Sequence, residues 1–386
     1  MKRTALVLLT VLAALCLCSQ AAADKTVTLT FTGDCTIGGE EAVRAHEDSF
    51  DSFAKLYGYD YFFKNFHDLF SSDDCTVVNC ECVFSDSRSG ENKDKSFRFR
   101  APTEFVNVFK EGSVEAVSLA NNHTKDYGAE AFEKMKTVLD DAGIGWAWDE
   151  HIWVFEKDGI RIGFGAIDYG IYKRSNYKVR DRLLLLRKEG LINAAVMMVH
   201  AGVEYSPKHY ADQDVYAEYF IREAGVDLVI GHHPHVLQGI RILNNRTVFY
   251  SLGNFVFGGH NKVSRNWQQN TNSLYTMAVQ VKMYFTDDGV YKGQQVVLYP
   301  AYDSGTDPLN NYQPMRVKAA DAVPVIRAIQ GDTRFSLPEI QTDDTGYSVV
   351  VMDYLPADPN SKEPAPTAAP ATEPGEPEPA PARPNK

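Results

Sequence analysis

The stretch Gly225–Ile240, GVDLVIGHHPHVLQGI, decides how the rest of the chain is read. Val226–Ile230 is a short, mostly apolar run, interrupted only by Asp227 and bounded by glycines, the pattern of a buried strand. Three imidazoles, His232, His233 and His235, then crowd around Pro234, in a chain that holds ten histidines in all. In α/β sheets, ligand sites lie beyond the carboxyl ends of the strands, so a buried strand that ends in ligand-capable side chains points to that class of fold. Pro234 biases His233 toward extended backbone, and extended positions two apart share a face. His233 and His235 are therefore expected to point the same way, with His232 left undecided.

The same pattern recurs outward from this stretch. TVTLTFTGD (26–34) reads as a strand ending in Asp34, and CTVVNCE (75–81) as a strand ending in Glu81. VEAVSLANNH (114–123) ends in Asn122 and His123, and INAAVMMVHAG (192–202) carries His200 at its end. Helical patterns alternate with these strands: YDYFFKNFHDLFSS (59–72), PTEFVNVFKEG (102–112), GAEAFEKMKTVLDDAGI (128–144) and YADQDVYAEYFIREAGVD (210–227). Two hairpins turn at Asp158-Gly159 and Asn244-Asn245. Alternating strands and helices imply an α/β fold with a sheet covered on both sides. The later strands LYTMAVQVKMYF and QQVVLYPAY read as antiparallel, which makes the sheet mixed or doubled.

If the polar strand ends are neighbours, Asp34, Glu81, Asn122, His200, His233 and His235 form one metal-ligand set. Carboxylate, amide and imidazole donors together suit a divalent transition metal, Mn, Fe or Zn, better than Ca or Mg. Two such ions about 3.5–4 Å apart could clamp a phosphoryl group and activate water, with Glu81 as the bridging carboxylate. One ion or two is left open. His123, beside Asn122, is placed to protonate a leaving oxygen, and Asp126 to hold its imidazole in the right tautomer. These two are the catalytic pair in this reading. Glu204 is either a supporting carboxylate or a surface residue. His46, His67, His151, His209 and His260 read as surface or packing residues.

The chain has 386 residues and a net charge of −12, with 44% hydrophobic and 12% aromatic residues. That is a folded globular composition, and its acidity argues against nucleic acid as a partner. Residues 1–23 combine Lys2 and Arg3, an apolar run too short to span a bilayer and a small-residue site at Ala21–Ala23. They read as a secretory signal peptide, which implies export to the cell surface, periplasm or medium. Residues 24–353 form the domain. Residues 354–386, rich in Pro, Ala and Glu, read as a disordered tail. Four cysteines follow the signal: Cys35, Cys75, Cys80 and Cys82. A disulfide from Cys35 to the second strand and four buried free thiols are both open.

The stretches TGDCTIGGE, NCE, SLANNHTKDYG, VHAGVEY, AGVDLVIGHHPHVLQGI and VFYSLGNFVFGG resemble, in order, the motifs of the CapA family of poly-γ-glutamate capsule biosynthesis proteins. That family is similar in fold to the calcineurin-like metallophosphoesterases. The resemblance covers roughly residues 26–260. It implies a four-layer α/β/β/α sandwich, an envelope location, and a role in making, exporting or anchoring an anionic polymer with membrane synthase or export components as partners. It also implies a metal-dependent hydrolase on phosphoesters as one reading, and a non-catalytic envelope module as another. By the same resemblance Asp34 matches the first metal aspartate, Asn122 and His123 the Asn-His pair, His200 the isolated histidine, and His233 and His235 the final His-x-His. Two positions depart from the phosphoesterase pattern. Thr36 stands where Asp-x-His would place a histidine, and Glu81 replaces the bridging aspartate.

Overall fold

The computed structural model describes residues 25–259, 273–306 and 309–358. The expected signal peptide and nearly all of the expected tail lie outside the described residues. Alternating Val27, Leu29 and Phe31 make Lys25–Thr36 a strand with one strongly apolar face, β1, and it becomes the centre of the larger sheet. In chain order the strands are β2 (Cys75–Cys80), β3 (Val83–Phe84), β4 (Arg100–Ala101), β5 (Ala116–Ser118), β6 (Gly145–Ala147), β7 (Trp153–Lys157), β8 (Ile160–Asp168), β9 (Ala194–His200) and β10 (Leu228–His232). They continue as β11 (Ile240–Leu243), β12 (Arg246–Phe249), β13 (Asn254–Phe257), β14 (Tyr275–Phe285), β15 (Tyr291–Tyr302), β16 (Met315–Arg316), β17 (Gln341–Thr342), β18 (Ser348–Val351) and β19 (Leu355–Pro356).

Two sheets stack face to face. The larger runs β17-β18-β15-β14-β1-β2-β5-β6, with β13 also on β1 and β16 and β19 on β15. The smaller runs β11-β12-β10-β9-β8-β7. Each has a parallel centre (β1, β2, β5, β6 in one; β8, β9, β10, β12 in the other) and antiparallel margins. Phe31 of β1 and Phe164 of β8 meet across the interface, ring centroids 6.4 Å apart. Helices α1 (Phe50–Tyr57), α2 (His67–Ser71), α3 (Asn107–Glu111) and α4 (Gly128–Ala142) cover the outer face of the larger sheet. Helices α5 (Tyr169–Lys188) and α6 (Ala211–Ala224) pack on the smaller sheet, and α7 (Ala322–Gln330) on β14 and β15. The architecture is the expected four-layer α/β/β/α sandwich.

Local chemistry explains most of the elements. Gly143 and Gly225 end α4 and α6 in left-handed conformation, and the Asp158-Gly159 and Asn244-Asn245 turns both carry positive φ, as the hairpins require. Three stretches fold differently from expectation. Of the aromatic stretch 59–72 only His67–Ser71 is α-helical. Phe62, Phe63, Phe66 and Phe70 are still buried, so the pattern reports packing more than helix. The sequence reading assigns no element to residues 169–188, where α5 buries only Ile171, Ser175, Val179, Leu183 and Leu186 and leaves a mixed surface of charged residues with Tyr169, Tyr177 and Leu185 exposed, with a kink at Ser175. The domain also extends past residue 353: β19 pairs with β15 and Ala357 N–H donates to Lys292 C=O, so the expected tail boundary at 354 falls inside the sheet.

Candidate metal centre

The parallel strands of both sheets end at the same edge of the sandwich, and the polar strand ends meet there. β1 delivers Asp34. Its neighbours are in register, with Asn79 of β2 on one side and Asn254 of β13 on the other. Gly33 permits this approach, because a Cβ at that position would sit 2.0 Å from the Gly253 carbonyl oxygen. Asp34 Oδ1 accepts from Asn79 Nδ2 at 2.7 Å, and Oδ2 accepts from the His233 backbone N–H at 3.1 Å. Glu81 follows β2, Asn122 and His123 lie in the loop after β5, His200 ends β9, and His233 and His235 follow β10. Three of the six proposed ligands come from one sheet's side and three from the other, so the site is built across the sheet-to-sheet junction.

Two groups of ligand atoms form, each within 4.8 Å: Asp34, Glu81 and His200, and Glu81, His233 and His235. Glu81 belongs to both. It is fully buried, and neither of its carboxylate oxygens has a hydrogen-bond partner. A buried carboxylate left unpaired costs free energy, and buried charges are otherwise paired or coordinate metals. The donor set therefore fits a cation shared at Glu81. Asn122 reaches the same point, with Oδ1 2.8 Å from His200 Nε2, which is itself 3.4 Å from Glu81 Oε1. His235 Nε2 lies 3.9 Å from Glu81 Oε1, and its Nδ1 lies 2.9 Å from Asn254 Oδ1 and 3.4 Å from Asp34 Oδ2.

The electrostatics are those of a crowded, dry site. Burial raises the Glu81 carboxyl well above the carboxylate range, and the charge of Asp34 adds to this. For Asp34 burial works upward too, but the bond to His235 and the fields of His232, His235 and His200 outweigh it and hold the group below its ordinary value. Burial lowers His233 to about 4, helped by His235, and lowers His200 well below the imidazole range. His235 goes the other way: burial would lower it, yet Glu81 and Asp34 raise it to about 10. Neutral His200 and His233 present lone pairs ready for a metal, which is the form a ligand needs, whereas His235 would have to release a proton on binding one.

Beside this centre His123 Nδ1 lies 2.6 Å from Asp126 Oδ2, which leaves Nε2 facing Glu81 Oε1 at 4.0 Å. Asp126 is fully buried and also accepts from Phe99 N–H at 2.8 Å, while the Phe99 ring lies 4.3 Å from the imidazole. Lys95 Nζ pairs with Asp126 Oδ1 and donates to the Asn122 carbonyl at 2.6 Å, so one ammonium braces both the dyad and the Asn122 loop. Sequence reasoning missed Lys95, which lies in a loop with no periodic pattern. It also missed Asn79, although a polar residue inside the buried run CTVVNC was a usable signal.

Other expectations resolve as follows. His233 and His235 do converge on Glu81, but through positive φ of 98° and 57° rather than an extended segment; this strained turn after β10 aims both rings. His232 is not in either ligand group: its Nε2 meets the Thr32 carbonyl at 3.0 Å and ties β10 to β1. Glu204 is exposed, though its charge still acts on Glu81 and both histidines. All four described cysteines are buried free thiols, with Cys80 and Cys82 Sγ 3.7 Å apart on either side of Glu81. His209 bonds Asp332 at 2.8 Å and stacks on Tyr250, and His151 stacks on Trp146, away from the centre. His260 lies outside the described residues.

Comparison with known proteins bears out the family resemblance. The family model for the bacterial capsule synthesis protein PGA_cap matches residues 28–259. The chain belongs to this family. Among its PGA_cap relatives, the capsule biosynthesis protein CapA of Bacillus anthracis is 30% identical over 258 residues, covering 61% of this chain and 60% of that protein. The PGA biosynthesis protein CapA of Bacillus subtilis (strain 168) is 27% identical over 253 residues, covering 61% of this chain and 64% of that protein. The chain thus spans less than two thirds of the length of the curated relatives it matches. Among solved structures, a novel phosphatase from Mycoplasma pneumoniae covers 73% of this chain and 96% of its own at 12% identity and a TM-score of 0.44. A hypothetical protein from Thermus thermophilus covers 71% and 99% at 15% identity and a TM-score of 0.42. No helix among the described residues is long and apolar enough to cross a membrane.

Proposed function

We propose that this PGA_cap protein is exported and acts in the synthesis, export or anchoring of poly-γ-glutamate or a related anionic surface polymer, through a metal-dependent hydrolytic site for phosphoesters. The observation that carries the site is Glu81, buried, unpartnered at both oxygens and common to two ligand groups. Asp34, Asn122 and His200 on one side and His233 and His235 on the other would hold one or two Mn, Fe or Zn ions with Glu81 between them. Such ions, when bound, polarise a phosphoryl oxygen and lower the pKa of water. The chain's own residues do the rest. Asn79 and the His233 N–H fix the Asp34 carboxylate. Asp126 accepts a hydrogen bond from His123 Nδ1, so His123 donates to a leaving oxygen only after Nε2 has taken up a second proton, a charge that burial opposes and Asp126 favours, while Lys95 and Phe99 keep that dyad in place.

The test is metal analysis of the purified mature protein and its Glu81→Gln and His235→Ala variants, with turnover of a generic phosphodiester and polymer output in cells carrying each variant. The expected result is at least one transition-metal ion per chain, lost in both variants together with turnover and polymer. Metal-free wild-type protein after exposure to Mn, Fe and Zn, or normal polymer output with Glu81→Gln, would overturn the reading.

A further inference from the structure

A cavity of about 410 Å³ opens beside the candidate centre. One wall carries Asn122, His200 and His233, three of the proposed ligands, and the other carries Asp168, Tyr169 and Asp212. His233 Nδ1 on this wall is buried and has no hydrogen-bond partner. Asp168 sits in register with His200 at the end of the smaller sheet, so the second wall begins directly beside the metal ligands.

The charge of the second wall is unusual for a site read as handling anions. Two helix N-termini, those of α5 and α6, contribute Asp168 and Asp212 to it, and such ends ordinarily attract anions. Here each is already served by the protein's own carboxylate. Asp168 Oδ1 accepts from Ile171 N–H at 2.7 Å, and Asp212 Oδ1 accepts from Gln213 N–H at 2.9 Å. Among the described residues neither carboxylate forms an ion pair, and no Lys or Arg lines the cavity. The nearby cations are committed elsewhere: Arg174 to Asp149 at 2.8 Å, Lys173 over the Tyr169 ring at 4.5 Å, and Lys95 to Asp126 on the His123 side. A ligand group entering the cavity therefore meets two carboxylates that no ion pair neutralises, offset only by their helix N-termini and the field of Arg174 on Asp168, and no positive side chain in the lining.

We propose that this cavity holds the non-phosphoryl part of the ester, and that it selects a hydrogen-bond-donating, non-anionic group, hydroxyls or an amine, over one that carries a carboxylate. The inference rests on the phosphoester reading of the adjoining centre. It places a phosphorylated alcohol or amino alcohol, not a stretch of polyglutamate, in this pocket, because a ligand carboxylate there would face like charges that must be desolvated together.

The test uses a matched, non-hydrolysable pair that differs by one carboxylate: 2-aminoethylphosphonate and 2-amino-3-phosphonopropionate. Inorganic phosphate serves as the reference. Calorimetric titration is carried out on the full mature chain in Mn. The aminoethyl compound is expected to bind about ten-fold more tightly than its carboxylated partner, and Asp212→Asn to shrink that ratio to about three-fold or less. Asp168→Asn, which keeps the helix cap, serves if Asp212→Asn fails to fold. Absence of any phosphate binding would overturn the phosphoester reading, and this inference with it. Phosphate binding with equal affinities for the pair, or with the carboxylated member favoured, would overturn the cavity assignment alone.

Discussion

Replacing Glu81 with Gln should stabilise the metal-free protein and abolish its response to metal. Glu81 is fully buried with both oxygens unpartnered, and burial and Asp34 raise its pKa well above the carboxylate range. An acid whose folded pKa is raised binds its proton more tightly when folded. Its contribution to stability is complete below the unfolded value of about 4.3 and is lost as pH rises through the folded one, by up to about 1.4 kcal/mol per pH unit over that window. At neutral pH the metal-free protein bears either this loss or an unsatisfied buried carboxylate, a cost of about 1–3 kcal/mol. The amide carries no such proton dependence. Metal-stripped Glu81→Gln should therefore melt about 2–6 °C above metal-stripped wild type at pH 7, at about 2 °C per kcal/mol for a domain of this size. With Mn at about 1,000 times its Kd, the wild type should gain about 4.1 kcal/mol and overtake the variant, which should gain almost nothing. The assay is thermal unfolding by circular dichroism from pH 5 to 8, with and without chelator. A variant that melts below metal-free wild type, or one that gains the same stabilisation from Mn, would refute the assignment of Glu81 as a shared ligand.

Three further outcomes follow from the geometry. His233 is held near 4 and His200 well below its ordinary value, both chiefly by burial, so both are neutral in the folded protein at pH values where the unfolded chain takes up protons. Their contribution rises with pH from about 4 to the unfolded value of about 6.5, and a His233→Gln variant should show a flatter stability profile in that window by chemical denaturation. Gly33→Ala would place a Cβ 2.0 Å from the Gly253 carbonyl; it should cost at least about 1–3 kcal/mol in urea and weaken metal binding by displacing Asp34, and a near-neutral variant would contradict the packing. In protein produced without residues 1–23 the four buried thiols should resist a thiol reagent until denaturation and then all titrate without reductant; fewer than four would reveal a disulfide absent from this structure.

Much of this site was readable in the residues because a strand ending in a polar, ligand-capable side chain is a local pattern. Asp34, Glu81, Asn122, His200, His233 and His235 each announce themselves within a few positions of an apolar run, and the order of their motifs carries the family. The same locality explains the helix caps at Gly143 and Gly225 and the two hairpin turns, since backbone conformation there depends on one or two residues. It also explains the failures. Helix α5 hides because only one narrow stripe of it is buried, and the aromatic run before α2 suggests a helix because burial alone can mimic periodicity.

What only the tertiary structure decided is which of these ends meet, and how. The ligands come from two sheets that contact each other through side chains such as Phe31 and Phe164, a pairing that no strand pattern encodes. The bond from the His233 backbone to Asp34 spans 199 residues, and the brace from Lys95 to Asp126 spans 31. Such contacts form because the sheets share one core and both parallel centres end at one edge, so the chain pays the closure entropy once for the whole fold and the site is assembled with it. The isolation of Glu81, the positive φ of His233 and His235, and the cavity carboxylates Asp168 and Asp212 that no ion pair neutralises are products of that assembly. By itself the sequence determined the kinds of donor and the family; the stacking of two sheets determined that Glu81 is shared by both groups.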